Sequence, residues 1–212
     1  MTPQWSKSPE KPVFFPSKSK NLLENLAKTS PLWYDSQKSV PQNRGKPEGE
    51  KAMSRIDKEN YYLDIAETVA ERSTCRRYRY GALIVRNDEI VSTGYNGAPR
   101  GRANCIDLGY CTRERRGIPF KQQLEICRSV HAEANAIISA ARSECIGGTI
   151  YLVARDAATG EILSDPGPCT MCKKLIINAG LSQMVIRQSD GRYEIWNVQD
   201  WVFDDDTLIL SE

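Results

Sequence analysis

The stretch whose reading decides the fold is Thr149–Gln188, TIYLVARDAATGEILSDPGPCTMCKKLIINAGLSQMVIRQ. Thr149–Ala154 (TIYLVA) and Gln183–Gln188 read as strands. Between them Cys169–Ala179 reads as a helix, with Gly180 as its C-cap. Upstream, Tyr80–Arg86 (YGALIVR) and Glu89–Tyr95 (EIVSTGY) read as two strands around the hairpin turn Asn87-Asp88. Ala132–Arg142 reads as helical. A strand–helix–strand–helix–strand order implies parallel neighbours and right-handed crossovers. The expected body is therefore α/β, a mixed central sheet with helices on both faces.

Outward from this body the chain changes character. Asp57 suits an N-cap, and Tyr62, Ile65, Ala66 and Val69 form an apolar stripe at helical spacing. Residues 1–52 hold seven of the eleven prolines, many Ser and Lys, and no sustained period. They read as a disordered N-terminal extension in which only Asn21–Ala27 suggests a short helix. Residues 53–190 read as the functional domain. In 191–212, Tyr193–Val198 suggests a last strand packing on the domain or trailing from it, and Asp204–Asp206 solvates the end.

Charge divides unevenly along the same boundary. Nine Lys/Arg against five Asp/Glu give residues 1–52 a net +4, which leaves −2 on the rest of a chain whose total is +2. A body without basic excess has no electrostatic footprint for a nucleic-acid backbone, so a small partner is expected. No run approaches the roughly 18 apolar residues of a membrane span, and the N-terminus has no apolar signal-peptide core. The expected location is cytoplasmic, where thiols stay reduced. There the seven cysteines, two of them in a C-x-x-C pair, point to metal or catalysis rather than to disulfides.

Three side chains make a metal-ligand set: His131, the only histidine in the chain, and Cys169 and Cys172 of Pro168-Cys169-Thr170-Met171-Cys172. Cysteines three apart share one helix face, so both thiolates reach one ion. One imidazole and two thiolates leave the fourth position of a tetrahedral zinc open, as catalytic zinc requires. A closed structural zinc would need a fourth Cys or His near the cluster, and there is no second histidine. Residues i and i+2 on a regular helix point about 200° apart. His131 and Glu133 therefore converge only if His131 begins its helix. Both halves of the site then lie at helix N-termini, which favour negative charge. Zinc lowers the pKa of a bound water to about 7. Glu133 beside it can move that proton to a ring nitrogen and to a leaving amine. H-x-E followed later by P-C-x-x-C is the signature of zinc nucleobase deaminases.

On these residues the chain resembles the deoxycytidylate (dCMP) deaminase family from about Ile56 to Arg187. Ser73-Thr74-Cys75, Ser92-Thr93-Gly94-Tyr95-Asn96-Gly97-Ala98-Pro99, His131–Ile137 (HAEANAI) and Pro168–Cys172 (PCTMC) carry the resemblance. It implies a three-layer α/β/α cytidine deaminase-like fold. The implied activity is that of a hydrolase acting on the C–N bond of a cyclic amidine, converting dCMP to dUMP and ammonia in pyrimidine nucleotide metabolism. The resemblance assigns Zn2+ to His131, Cys169 and Cys172, proton transfer to Glu133, a sugar contact to Asn96 and a base contact to the Ala132 backbone. It further implies a homo-oligomer, a hexamer in many members. Some members are activated by dCTP with Mg2+ and inhibited by dTTP, and the Gly94–Gly97 loop takes part in such effector sites.

Some members hold a second, structural zinc near the insertion that precedes His131. Here Cys75, Cys105, Cys111 and Cys127 would supply a Cys₄ set, although Asn104 stands where relatives often carry His. The same thiols also read as small buried apolar groups. For phosphate, Arg76, Arg77, Arg79, Arg100, Arg102 and Arg142 all offer the arginine fork. Arg142, expected on the His131 helix, matches a family arginine and equally suits an effector or a neighbouring subunit; Arg100 stands with it for a phosphate or effector contact. Two other readings stand beside this one. One is a deaminase of bases in tRNA or other nucleic acid, and the other is a zinc-binding interaction module without catalysis.

Overall fold

The computed structural model describes residues 55–203. The N-terminal extension with Asn21–Ala27, and the acidic run Asp204–Asp206, lie outside the described residues. Helix α1 (Lys58–Ala70) opens the body. Its N-cap is Asp57, whose carboxylate accepts from the Asn60 N–H at 2.9 Å. The buried face is Tyr62, Leu63, Ala66 and Ala70. It is rotated from the stripe expected through Ile65 and Val69, because Leu63 rather than Val69 meets the sheet.

Strands β1 (Tyr78–Arg86) and β2 (Glu89–Tyr95) form the expected hairpin. Asn87 (φ 51°) and Asp88 (φ 68°) both take left-handed conformations, the requirement of a two-residue hairpin turn. After short helices α2 (Cys105–Leu108) and α3 (Thr112–Arg115) come α4 (Ala132–Ile138), α5 (Arg142–Cys145), β3 (Thr149–Asp156), α6 (Thr170–Ala179), β4 (Gln183–Ser189), β5 (Arg192–Asn197) and α7 (Val198–Phe203). The helix expected through Arg142 stops at Ile138. The Ala141 N–H turns to the Glu144 carboxylate at 3.0 Å, which starts α5 as a separate turn.

The five strands are ordered β2-β1-β3-β4-β5. Only β3 and β4 are parallel neighbours, and β1 pairs antiparallel with both β2 and β3. The sheet is mixed, as expected, but the parallel neighbours are realised only at β3 and β4: the crossover through α4 carries the chain over β1, so β3 lands beside β1 and not beside β2. The strand residues alternate between two cores. Ala82, Ile84, Ile150, Leu152, Met184 and Ile186 face Ala132, Ala136, Ile176 and Ala179 of α4 and α6. Leu83, Val85, Tyr151, Val153 and Val185 face Tyr62, Leu63 and Ala66 of α1. Two helical layers around one mixed sheet make the α/β/α sandwich. Each fully buried Leu or Ile contributes about 1.5–3 kcal/mol by leaving water. Strand β5 pairs antiparallel with β4, and α7 follows it, with Trp201 edge-on to Trp196 at 6.1 Å. No helix among the described residues is long and apolar enough to cross a membrane.

Candidate active site and metal centre

Two helix starts meet at the cleft. His131 is the N-cap of α4, with extended backbone (φ −72°, ψ 156°), so its ring leaves the helix direction and Glu133 lies one turn position inside. Hydrogen bonds between Val130 and Gly97, 2.8 and 3.2 Å, tie this start to the loop after β2. The Ser92 hydroxyl donates to the Ala136 carbonyl at 2.8 Å, and the Asn135 amide donates to the Tyr95 carbonyl at 2.7 Å. Cys169 is the N-cap of α6, and Cys172 lies buried in its first turn. Pro168 therefore precedes the cap and does not occupy the first helical position.

The donor atoms of His131, Cys169 and Cys172 all lie within 4.8 Å of one another, the one such group among the described residues. His131 Nδ1 is 3.5 Å from Cys169 Sγ and 3.4 Å from Cys172 Sγ. A tetrahedral zinc with bonds of about 2.3 Å to sulfur and 2.05 Å to nitrogen sets these separations at about 3.6 Å. The residues fit the ion. Hydrogen bonding from Cys172 and His131 holds the Cys169 thiol down to about 4 against the opposing effect of burial. As the donor of that bond, and buried, the Cys172 thiol is pushed up. A divalent cation binds both sulfurs as thiolates and displaces their protons.

Glu133 is 3% exposed. Burial pushes its carboxyl above the ordinary carboxylate range, partly offset by the charge of His131. Tyr80, likewise pushed up by burial, feels the Glu133 charge from the facing strand. A buried carboxyl with raised proton affinity, beside a cation-binding group, is equipped to carry protons.

The cleft is lined by Cys75, Asn96, Cys127, His131, Ala132, Glu133 and Cys169 among the expected residues. Asn96 is held rigidly: its Oδ1 accepts from the Ser73 hydroxyl at 2.6 Å and the Tyr80 N–H at 2.9 Å, and its Nδ2 donates to the Tyr78 carbonyl at 2.9 Å. One amide hydrogen remains for a ligand. Ala132, at the first helical position, has an N–H with no carbonyl four residues back to accept it. Arg100 is exposed on the turn beyond β2, and the Arg142 Nε donates to the Asn178 carbonyl at 3.2 Å; neither lines the cleft.

Sequence reasoning passed over Tyr78, Tyr80, Arg113, Phe120 and Lys121, which complete the walls. Tyr78 and Tyr80 were discoverable, because alternate residues of one strand share a face. The other three belong to the insertion, which carries no periodic signal. Within it Cys105 and Cys111 are buried and Cys127 is half-buried, as is Cys75 ahead of β1. Burial raises the Cys105 thiol, and the nearby Cys75, Cys127 and Cys111 raise it further. Asn104 caps α2, its amide donating to Asp107 at 3.0 Å.

Residues 56–188 match the family described as the cytidine and deoxycytidylate deaminase zinc-binding region. The chain is 38% identical over 138 residues to the deoxycytidylate deaminase of Mycobacterium phage D29, covering 63% of this chain and 96% of that protein. It is 33% identical over 131 residues to the deoxycytidylate deaminase of Schizosaccharomyces pombe, covering 62% of this chain but only 37% of the yeast protein. Among solved structures it resembles the dCMP deaminase of cyanophage S-TIM5 in complex with dCMP and dUMP, with 27% identity, coverage of 63% of this chain and 85% of that one, and a TM-score of 0.44.

Proposed function

Because the chain belongs to the cytidine and deoxycytidylate deaminase zinc-binding family, we propose that it hydrolyses dCMP to dUMP and ammonia, as the proteins named for that activity do. The observation that carries this reading is the pair of His131–sulfur separations, 3.5 and 3.4 Å, with the buried Glu133 two residues from His131. His131, Cys169 and Cys172 would hold the ion. Zinc supplies Lewis acidity that brings the deprotonation of water close to neutral pH.

Glu133 takes one proton from the attacking water and gives it to the ring nitrogen as the C–O bond forms at C4 of the base. It then passes the second water proton to the exocyclic amine as the C–N bond breaks, so that ammonia leaves and the ring nitrogen keeps its proton. The free Asn96 amide hydrogen meets a sugar hydroxyl, and the Ala132 N–H meets the base carbonyl. Residues 53–190 are taken as the catalytic domain, on which β5 and α7, within the C-terminal segment 191–212, pack. The reduced thiols that the site needs suit the cytoplasm.

Three finer assignments extend the reading. On the family pattern Cys75, Cys105, Cys111 and Cys127 take a second, structural zinc, for which their sulfurs have to close in, since they do not form a group of donor atoms within 4.8 Å as His131, Cys169 and Cys172 do. The enzyme works as a homo-oligomer, a hexamer on the family pattern. An allosteric nucleotide with Mg2+ contacts the Gly94–Gly97 loop, with Arg100 or Arg142 available to it or to a neighbouring copy.

An ammonia-release screen of the zinc-loaded protein tests the central reading. Its substrates are dCMP, CMP, dCTP, deoxycytidine and a tRNA anticodon stem, with Glu133→Ala as the blank. dCMP is expected to turn over fastest, with the variant inactive yet still holding zinc. A signal from the tRNA alone would transfer the activity to nucleic acid, and retained zinc without ammonia from any compound would make the protein a non-catalytic module. A zinc-to-protein ratio of two rather than one supports the Cys₄ site.

A further inference from the structure

Arg113 is 5% exposed and lines the cleft, yet it forms no ion pair among the described residues. Its Nη2 donates to two carbonyls, Pro119 at 2.6 Å and Gln122 at 2.6 Å, while its Nε is buried without a partner. Those two carbonyls bracket Phe120 and Lys121. Lys121 takes a left-handed conformation (φ 63°), a cost a non-glycine residue bears only where its surroundings impose it. Phe120 is set against Tyr78, with ring centroids 4.8 Å apart. The result is a short, braced segment that presents a lysine to the same cleft as Glu133.

The partner of Lys121 is Asp165, three residues before Pro168. Asp165 is 67% exposed, and an ion pair to a carboxylate so well hydrated is weak. A phosphate monoester carries about −1.5 to −2 charges at neutral pH and three acceptor oxygens. It outcompetes a single carboxylate for an ammonium already in place, and it supplies the negative charge that the buried Arg113 lacks.

We propose that Lys121, positioned by Arg113, is the residue that selects a 5′-phosphorylated substrate, with Asp165 as its partner until the phosphate arrives. The inference rests on the deaminase reading and gives it its phosphate subsite, in place of the exposed Arg100 and of Arg142.

The test compares Lys121→Met and Asp165→Asn in the zinc-loaded, full-length protein. With Lys121→Met, KM for dCMP is expected to rise about tenfold or more with kcat within about threefold, because charge-assisted bonds to phosphate form on binding. With Asp165→Asn, KM is expected to stay or fall, because a competitor is removed. A purely structural latch would make both variants worse alike, and that result would overturn the proposal. Calorimetric binding of dUMP against deoxyuridine gives a second reading that needs no turnover. Loss of the preference for dUMP in Lys121→Met supports the phosphate role, and an unchanged preference refutes it. A wild-type protein that binds dUMP through Lys121 but releases no ammonia would sink the deaminase reading and leave the subsite standing.

Discussion

A methyl group placed on Gly94 would stand 2.3 Å from the carbonyl oxygen of Ala132 and 2.4 Å from the Ala136 amide nitrogen. Strand β2 and helix α4 therefore touch backbone to backbone at the residue next to His131 and Glu133. No flexible side chain lies there to yield, so an added carbon moves the helix itself. Gly94→Ala is expected to lower stability by about 2–3 kcal/mol, the usual range for forcing volume into a packed interior. It should also lower zinc content, because His131 shifts while Cys169 and Cys172 stay. Urea unfolding together with zinc analysis of the folded fraction reads both. A variant with normal stability and full zinc would show that this contact does not position the site.

Metal removal follows from the donor set. Exhaustive chelation should abolish ammonia release and added zinc should restore it. His131→Ala should leave two thiolates that no longer hold the ion through purification. Substoichiometric zinc in His131→Ala, with a circular-dichroism spectrum close to wild type, is the expected pair of results. Full zinc in that variant would mean that the ion sits elsewhere.

Arg187 joins β4 to α1. It is 4% exposed, donates to Asn60 Oδ1 at 2.9 Å and pairs with the Asp64 carboxylate. Removing one member of a fully buried ion pair costs about 3–5 kcal/mol, because the other is stranded. Asp64 is 55% exposed and can rehydrate, so the loss here should be smaller. Arg187→Met keeps the aliphatic stem and should cost about 1–3 kcal/mol, chiefly through the orphaned Asn60 amide. Thermal unfolding of Arg187→Met alone and with Asn60→Ala separates the two contributions.

Acid stability should depend on Asp57. Hydrogen bonds from the Asn60 side chain and backbone hold its carboxyl below 3.8. A depressed carboxylate adds stability above its unfolded pKa, and that stability is lost as pH falls through the folded value. Stability should therefore decline below about pH 4 as this cap takes up its proton. Asp57→Asn keeps a good cap without a titrating group. Its midpoint for urea unfolding should fall less steeply between pH 5 and pH 2, and parallel curves would remove Asp57 from the acid transition.

Local chemistry wrote much of this protein into its sequence. Asn87-Asp88 can serve a two-residue hairpin because both residues tolerate positive φ, and β1 and β2 meet them at Arg86 and Glu89 as expected, although β1 begins two residues early, at Tyr78. Asp57 and Gly180 cap helices for reasons contained within four residues of chain. The ligand set was legible because zinc chemistry admits few donor types, and the i, i+2 geometry already required His131 to be an N-cap. What needed the tertiary structure was whatever depends on residues distant in sequence meeting. The crossover through α4 seats β3 beside β1, so that β3 runs antiparallel to it and parallel only to β4. Beyond Ile138 the helix is not continued to Arg142, because the Ala141 N–H turns to the Glu144 carboxylate, a choice no helical period records. Arg113 and Lys121 sit in a stretch without periodicity. They become a cleft wall only because two carbonyls nine residues apart or fewer from Arg113 fold back onto its guanidinium. Burial turns that ordinary surface residue type into a fixed cation, and burial is a property of the assembled body.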